Sequence, residues 1–127
     1  MWTNLNIFAA WFGVLLGIVS GAILGLWFHS EHWLGGYASW PRRMMRLGHI
    51  SFFGIGMLNL AYAATVHYLR WSNPPTAASV ALASAIVLMP AICFLSAWRA
   101  SFRHLFFLPV GCVLVGVLGI LFWSVAP

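Results

Sequence analysis

RRMMRLGHISFFGIGMLNLAYAATVHYL, residues 42–69, is the stretch on which the fold turns. Beyond its basic opening it is apolar for long enough to cross a bilayer, and it contains no acid. His49 and His67 stand near its two ends. At about 100° per residue their separation is five whole helical turns, so both imidazoles leave the same helix face. A rise of about 1.5 Å per residue sets them about 27 Å apart, close to the thickness of a hydrocarbon core. The helix either offers a ligand at each membrane face or carries two ordinary interfacial histidines.

The remainder of the chain favours the same solvent. Of 127 residues, 63% are hydrophobic and 6% charged, and a soluble domain of this size needs far more polar surface to stay dispersed. Lipid must therefore cover most of the outside. The composition does not change along the sequence, so residues 1–127 read as a single transmembrane domain. All six basic side chains are arginine and Glu31 is the only acid. The arginines form no basic stripe, which excludes a nucleic-acid partner, and they flank apolar segments, where lipid headgroups meet them. Cys93 and Cys112 lie inside apolar runs without a CxxC pairing and read as small buried side chains.

Four apolar stretches are long enough to span, at about residues 7–28, 44–69, 76–98 and 102–124. This predicts an all-α, integral-membrane four-helix bundle. The opening MWTNLN lacks a basic n-region and the apolar run after it exceeds a signal-peptide core, so the first segment is expected to remain as a span. The first connection, HSEHWLGGYASWPRR (residues 29–43), has the glycines and aromatic rings of a segment lying in the interface. Arg42, Arg43, Arg46, Arg99 and Arg103 flank loops one and three, against Arg70 alone on loop two. The positive-inside rule then puts loops one and three in the cytoplasm and both termini on the outer, periplasmic side.

Gly13, Gly17, Gly21 and Gly25 recur every fourth residue in GVLLGIVSGAILG. Such a ridge lets another backbone approach closely, which predicts a tight seam within the bundle or with a partner subunit. Pro90 in span three and Pro109, Gly111, Gly116 and Gly119 in span four suggest helices packed on neighbours. Asn59 falls near mid-membrane, where an unpaired amide is costly, and is expected to hydrogen-bond to another helix.

On this topology His29, His32, His49 and His104 gather at the cytoplasmic face, leaving His67 at the outer one. Neutral imidazole ligates haem iron, and two facing helices can supply both axial ligands. His49 and His104 open spans two and four at similar depth, Arg46 and Arg103 stand ready to neutralise haem propionates, and Gly56 and Ala63 line the face between His49 and His67 with small side chains. That is what a haem b lying between spans two and four requires. A close-packed helix requires the same small residues, and histidines beside arginines and aromatics also snorkel at interfaces without a cofactor, so both readings stand. Zinc held by His29, Glu31 and His32 is the weaker alternative. No acid lies within a span and no nucleophile sits near a base, so nothing points to catalytic activity of its own or to a proton-coupled transporter.

PRRMMRLGH (residues 41–49) and WRASFRHLFFLPVGCVLVGVLGILFW (residues 98–123) resemble small four-helix membrane proteins of haem–copper oxidase assembly. They are also similar to the histidine-bearing helices of membrane b-type cytochrome subunits. The resemblance carries over His49, Arg103 and His104, and departs from the pattern in span three, which has no histidine. It implies a setting in respiratory electron transfer. The expected function is a small subunit or accessory protein of a respiratory or photosynthetic electron-transfer complex in a bacterial-type inner membrane, partnered by other membrane subunits of that complex. A cofactor-free assembly or scaffold factor is the alternative, and a small transporter component the third.

Overall fold

A computed structural model describes residues 2–125. They form four α-helices, with no strand among them: α1 (Trp2–Phe28), α2 (Trp40–Tyr68), α3 (Thr76–Trp98) and α4 (Phe107–Val125). Short 3-10 segments at Trp33–Gly35 and Ala100–Leu105 interrupt the first and third connections. All four helices are long and apolar enough to cross a membrane.

The helix starts differ from the sequence expectation for local reasons. α2 begins at Trp40, ahead of the apolar run, because Ser39 caps it and Pro41 occupies the first turn, where a missing N–H costs nothing. The Ser39 hydroxyl accepts from the Arg42 N–H at 3.4 Å and donates to the Leu34 carbonyl at 2.6 Å, tying loop one to the helix. The fourth span was expected from about residue 102, yet α4 starts at Phe107. A continuous helix from residue 102 would drive the Pro109 ring into the carbonyl four residues earlier. Starting at Phe107 leaves the proline in the first turn, and the residues before it take the 3-10 form.

Neighbouring helices run antiparallel, so the start of α1, the end of α2, the start of α3 and the end of α4 share one end of the bundle. α1 packs on α2 and α3, α2 on α3, and α4 on α3. The span of α3 is 44% buried and that of α4 only 11%, so α3 is the centre and α4 a flange held from one side. Ala78 lies 2.8 Å from where a Gly119 Cβ would stand, which brings α4 close to α3.

The glycine ridge of α1 faces inward. A Cβ at Gly13 would sit 2.5 Å from Ile86 Cδ1 and 3.0 Å from the Phe52 carbonyl oxygen. At Gly17 it would meet the Phe53 ring at 2.6 Å, and at Gly21 the His49 ring at 2.6 Å. The seam therefore lies within the bundle, chiefly between α1 and α2. Gly25 differs from the other three: a Cβ there meets nothing within 4 Å of this chain.

Three buried polar side chains lock the other end of the core. Asn6 Nδ2 donates to Asn59 Oδ1 at 2.7 Å and to the Ser79 carbonyl at 3.1 Å, while the Ser79 hydroxyl donates to Asn6 Oδ1. Asn59 Nδ2 donates to the Ile55 and Leu82 carbonyls at 3.0 and 2.9 Å. Both amides thus have partners for every N–H and for each carbonyl, across α1, α2 and α3. Full satisfaction is what makes such a network tolerable where no water can substitute.

Candidate functional site

Loop one and the turns that flank it hold a cluster of polar and aromatic groups around Arg42. Arg42 is 3% exposed, although its position in an interfacial basic cluster predicts a solvated side chain. One guanidinium nitrogen donates to the Phe28 carbonyl at 2.6 Å; the other donates to the Ser30 carbonyl at 3.0 Å and reaches that of Glu31 at 3.5 Å. These carbonyls lie at and just beyond the end of α1, whose last C=O groups have no helical donor and carry the negative end of the macrodipole. The Phe28, Tyr37 and Trp33 rings surround the charge at 4.6, 5.5 and 5.6 Å, offering their π-faces in place of water. Arg42 is therefore the C-terminal cap of α1, donated from α2. Arg42→Lys keeps the charge and loses the planar fork, so stability should fall by about 1–2 kcal/mol. Thermal unfolding in detergent measures this, and an unchanged midpoint would remove the capping role.

One turn further along α2, Arg46 lies 4.1 Å over the Tyr37 ring and donates to the Tyr37 carbonyl at 3.3 Å. His49 follows. Its Nδ1 is 3.1 Å from the Ser20 hydroxyl of α1, and its ring meets Phe53 edge-on at 5.5 Å. The missing side chain of Gly21 is what lets the imidazole settle against α1. Beside it opens a groove of about 390 Å³, walled by Gly21, Leu24, Gly25, Phe28 and Ile50, with Arg46 and His49 as its polar edge.

The expected pairing of His49 with His104 is not formed. α2 is engaged by α1 and α3, and α4 packs on α3, so α3 stands between the two histidine-bearing segments. His104 and Arg103 are exposed on the 3-10 segment before α4, while His49 faces α1. Gly56 is buried against α1, 3.2 Å from the Ala10 carbonyl at its absent Cβ, and takes no part in a groove between α2 and α4. The groove beside His49 is thus lined by no second histidine among the described residues. His29, Glu31 and His32 are each exposed, and no group of three metal-ligating side chains is assembled among the described residues.

Two functional features escaped the sequence reading. The cap formed by Arg42 is signalled only by an arginine following an aromatic, glycine-rich loop, a pattern that also describes any membrane interface. The contribution of Ser20 to His49 has no signal at all, since it depends on which face of α1 meets α2. Comparisons with protein-family models, with curated proteins and with solved structures return no match.

Proposed function

We propose that the chain is a small integral-membrane subunit or accessory protein of an electron-transfer complex in a bacterial-type inner membrane, with both termini on the outer side. The observation that carries the subunit reading is α4, a span held along one side only, its remaining surface presenting Leu114, Leu118, Leu121 and Phe122. A helix so placed adds little to its own bundle and suits packing against another protein's helices. The electron-transfer setting rests on the resemblance of residues 41–49 and 98–123. Orientation rests on the arginine distribution.

A second reading, a b-type haem ligated from this chain by His49 alone, is favoured by the groove beside that imidazole and by Arg46 at its edge. The second axial ligand would then come from a partner.

One preparation tests these readings together. Extraction in a mild detergent should bring down further membrane subunits carrying redox centres, and a C-terminal reporter should be active in the outer compartment. A photo-crosslinking residue at Leu118 should give discrete protein adducts. A chain that elutes alone, with lipid adducts only, would refute the subunit reading; partners without redox centres would leave a cofactor-free scaffold factor. A Soret band lost in His49→Ala but kept in His104→Ala and His67→Ala is the result required for haem at His49.

A further inference from the structure

The opposite end of the α1–α2 seam carries a different kind of site. Between the first turns of α1 and the last turns of α2 lies an open cavity of about 780 Å³. Asn4, His67, Arg70 and Trp71 form its mouth, and Leu60, Ala63 and Ala64 belong to its floor. A second hollow of about 220 Å³ shares Leu60 and continues along the seam over Ala10, Trp11, Gly56 and Met57. The combined groove is polar at the membrane face and wholly apolar deeper in. From Arg70 to Gly56 it follows α2 for about 21 Å, beyond half of a hydrocarbon core about 30 Å thick. Those are the proportions of one amphiphile standing upright in a leaflet.

Charge decides which amphiphile. Among the described residues Arg70 is the only arginine or acid on this end of the bundle, since the other five arginines and the single acid, Glu31, lie in or beside loops one and three. No acidic side chain of the chain can reach it across the thickness of the membrane. A guanidinium stays charged under all physiological conditions and pairs best with carboxylate or phosphate oxygens.

The backbone holds that charge in place. Arg70 adopts φ 51°, the left-handed conformation that ordinarily calls for glycine after a helix. The Trp71 N–H donates to the Val66 carbonyl at 3.1 Å and the Arg70 N–H to that of His67 at 3.3 Å, the paired bonds of a Schellman turn. Glycine would close this turn with less strain. With arginine in its place, the turn sets a guanidinium at the groove mouth next to an indole at headgroup depth.

We propose that this groove binds an anionic phospholipid, its phosphate on Arg70 with Asn4 and His67 as further donors, and one acyl chain along the Ala63–Leu60–Gly56 floor. The site is independent of the complex the chain belongs to.

Native mass spectrometry of the full chain tests it, with phosphatidylglycerol and phosphatidylcholine of identical acyl chains offered in competition. One bound phosphatidylglycerol should be retained, with a preference of roughly fivefold, the worth of one arginine near a lipid surface. Arg70→Gly should keep the turn and the helical spectrum while abolishing the preference. Ala64→Phe, at an exposed position on the floor, should reduce retention of both lipids with the charge intact. Equal retention of the two lipids by the wild type, or an undiminished preference in Arg70→Gly, would show ordinary annular lipid and overturn the proposal. Displacement of the bound lipid by millimolar inorganic phosphate would overturn it too, by assigning the site to a free anion.

Discussion

A Gly13→Leu, Gly17→Leu double variant should fail to hold α1 against its neighbours. At Gly17 the obstacle is the Phe53 ring, which can swing away; at Gly13 it includes the Phe52 carbonyl oxygen, 3.0 Å from the new Cβ, and a helix backbone cannot yield. Overpacking of this kind costs about 1–3 kcal/mol per site, and two sites one turn apart on the same seam should together exceed about 3 kcal/mol. Lipid gives no compensating drive to push the helices back together, since its tails are as apolar as the leucines. The expected readout is a lowered unfolding midpoint in detergent and loss of α1–α2 cysteine crosslinks. Gly25→Leu is the internal control: nothing lies within 4 Å of its Cβ and leucine is the better helix former, so its midpoint should equal or slightly exceed the wild type. If the double variant also matches, α1 is not held by this seam.

The second large effect belongs to Asn59→Leu. Leucine keeps the branching of asparagine at Cγ and is larger, so the change removes hydrogen bonds without opening a cavity and adds some overpacking. Asn6 Nδ2 keeps its bond to the Ser79 carbonyl and loses the 2.7 Å bond to Asn59. A buried N–H is left without an acceptor, and stability should fall by about 1–3 kcal/mol. Asn6→Leu should cost a comparable amount from the other side. The Asn6→Leu, Asn59→Leu double variant should then be less damaged than the sum, because no orphaned amide remains on either helix. A strictly additive double variant would mean that the two amides do not act as a pair.

Four spans followed from apolar length alone, because a backbone in lipid must bond to itself and about 20 apolar residues suffice. Asn59 was expected to bond across helices, since its amide has nowhere else to go at that depth, and its partner proves to be Asn6. The choice of Asn6 and Ser79 was not legible. Asn6 sits in the short opening MWTNLN ahead of the apolar run, and serines are ordinary in a span rich in Ala and Ser. The glycine register announced a seam but not its other wall.

Sequence by itself determined that this is an all-α chain of four helices long and apolar enough to cross a membrane, that a ridge of glycines on the first must meet something closely, and that Asn59 must find a partner. The tertiary structure alone decided who the neighbours are. It put α3 between α2 and α4, turned His49 toward Ser20 and away from His104, and buried Arg42 as a cap for α1. The reason is physical. In water a helix advertises its packed face by an apolar stripe against a polar one, but in lipid both faces are apolar and the stripe disappears. Helix order is then set by shape: which glycine admits which ring, which amide reaches which carbonyl, and which proline forbids the helix to start sooner.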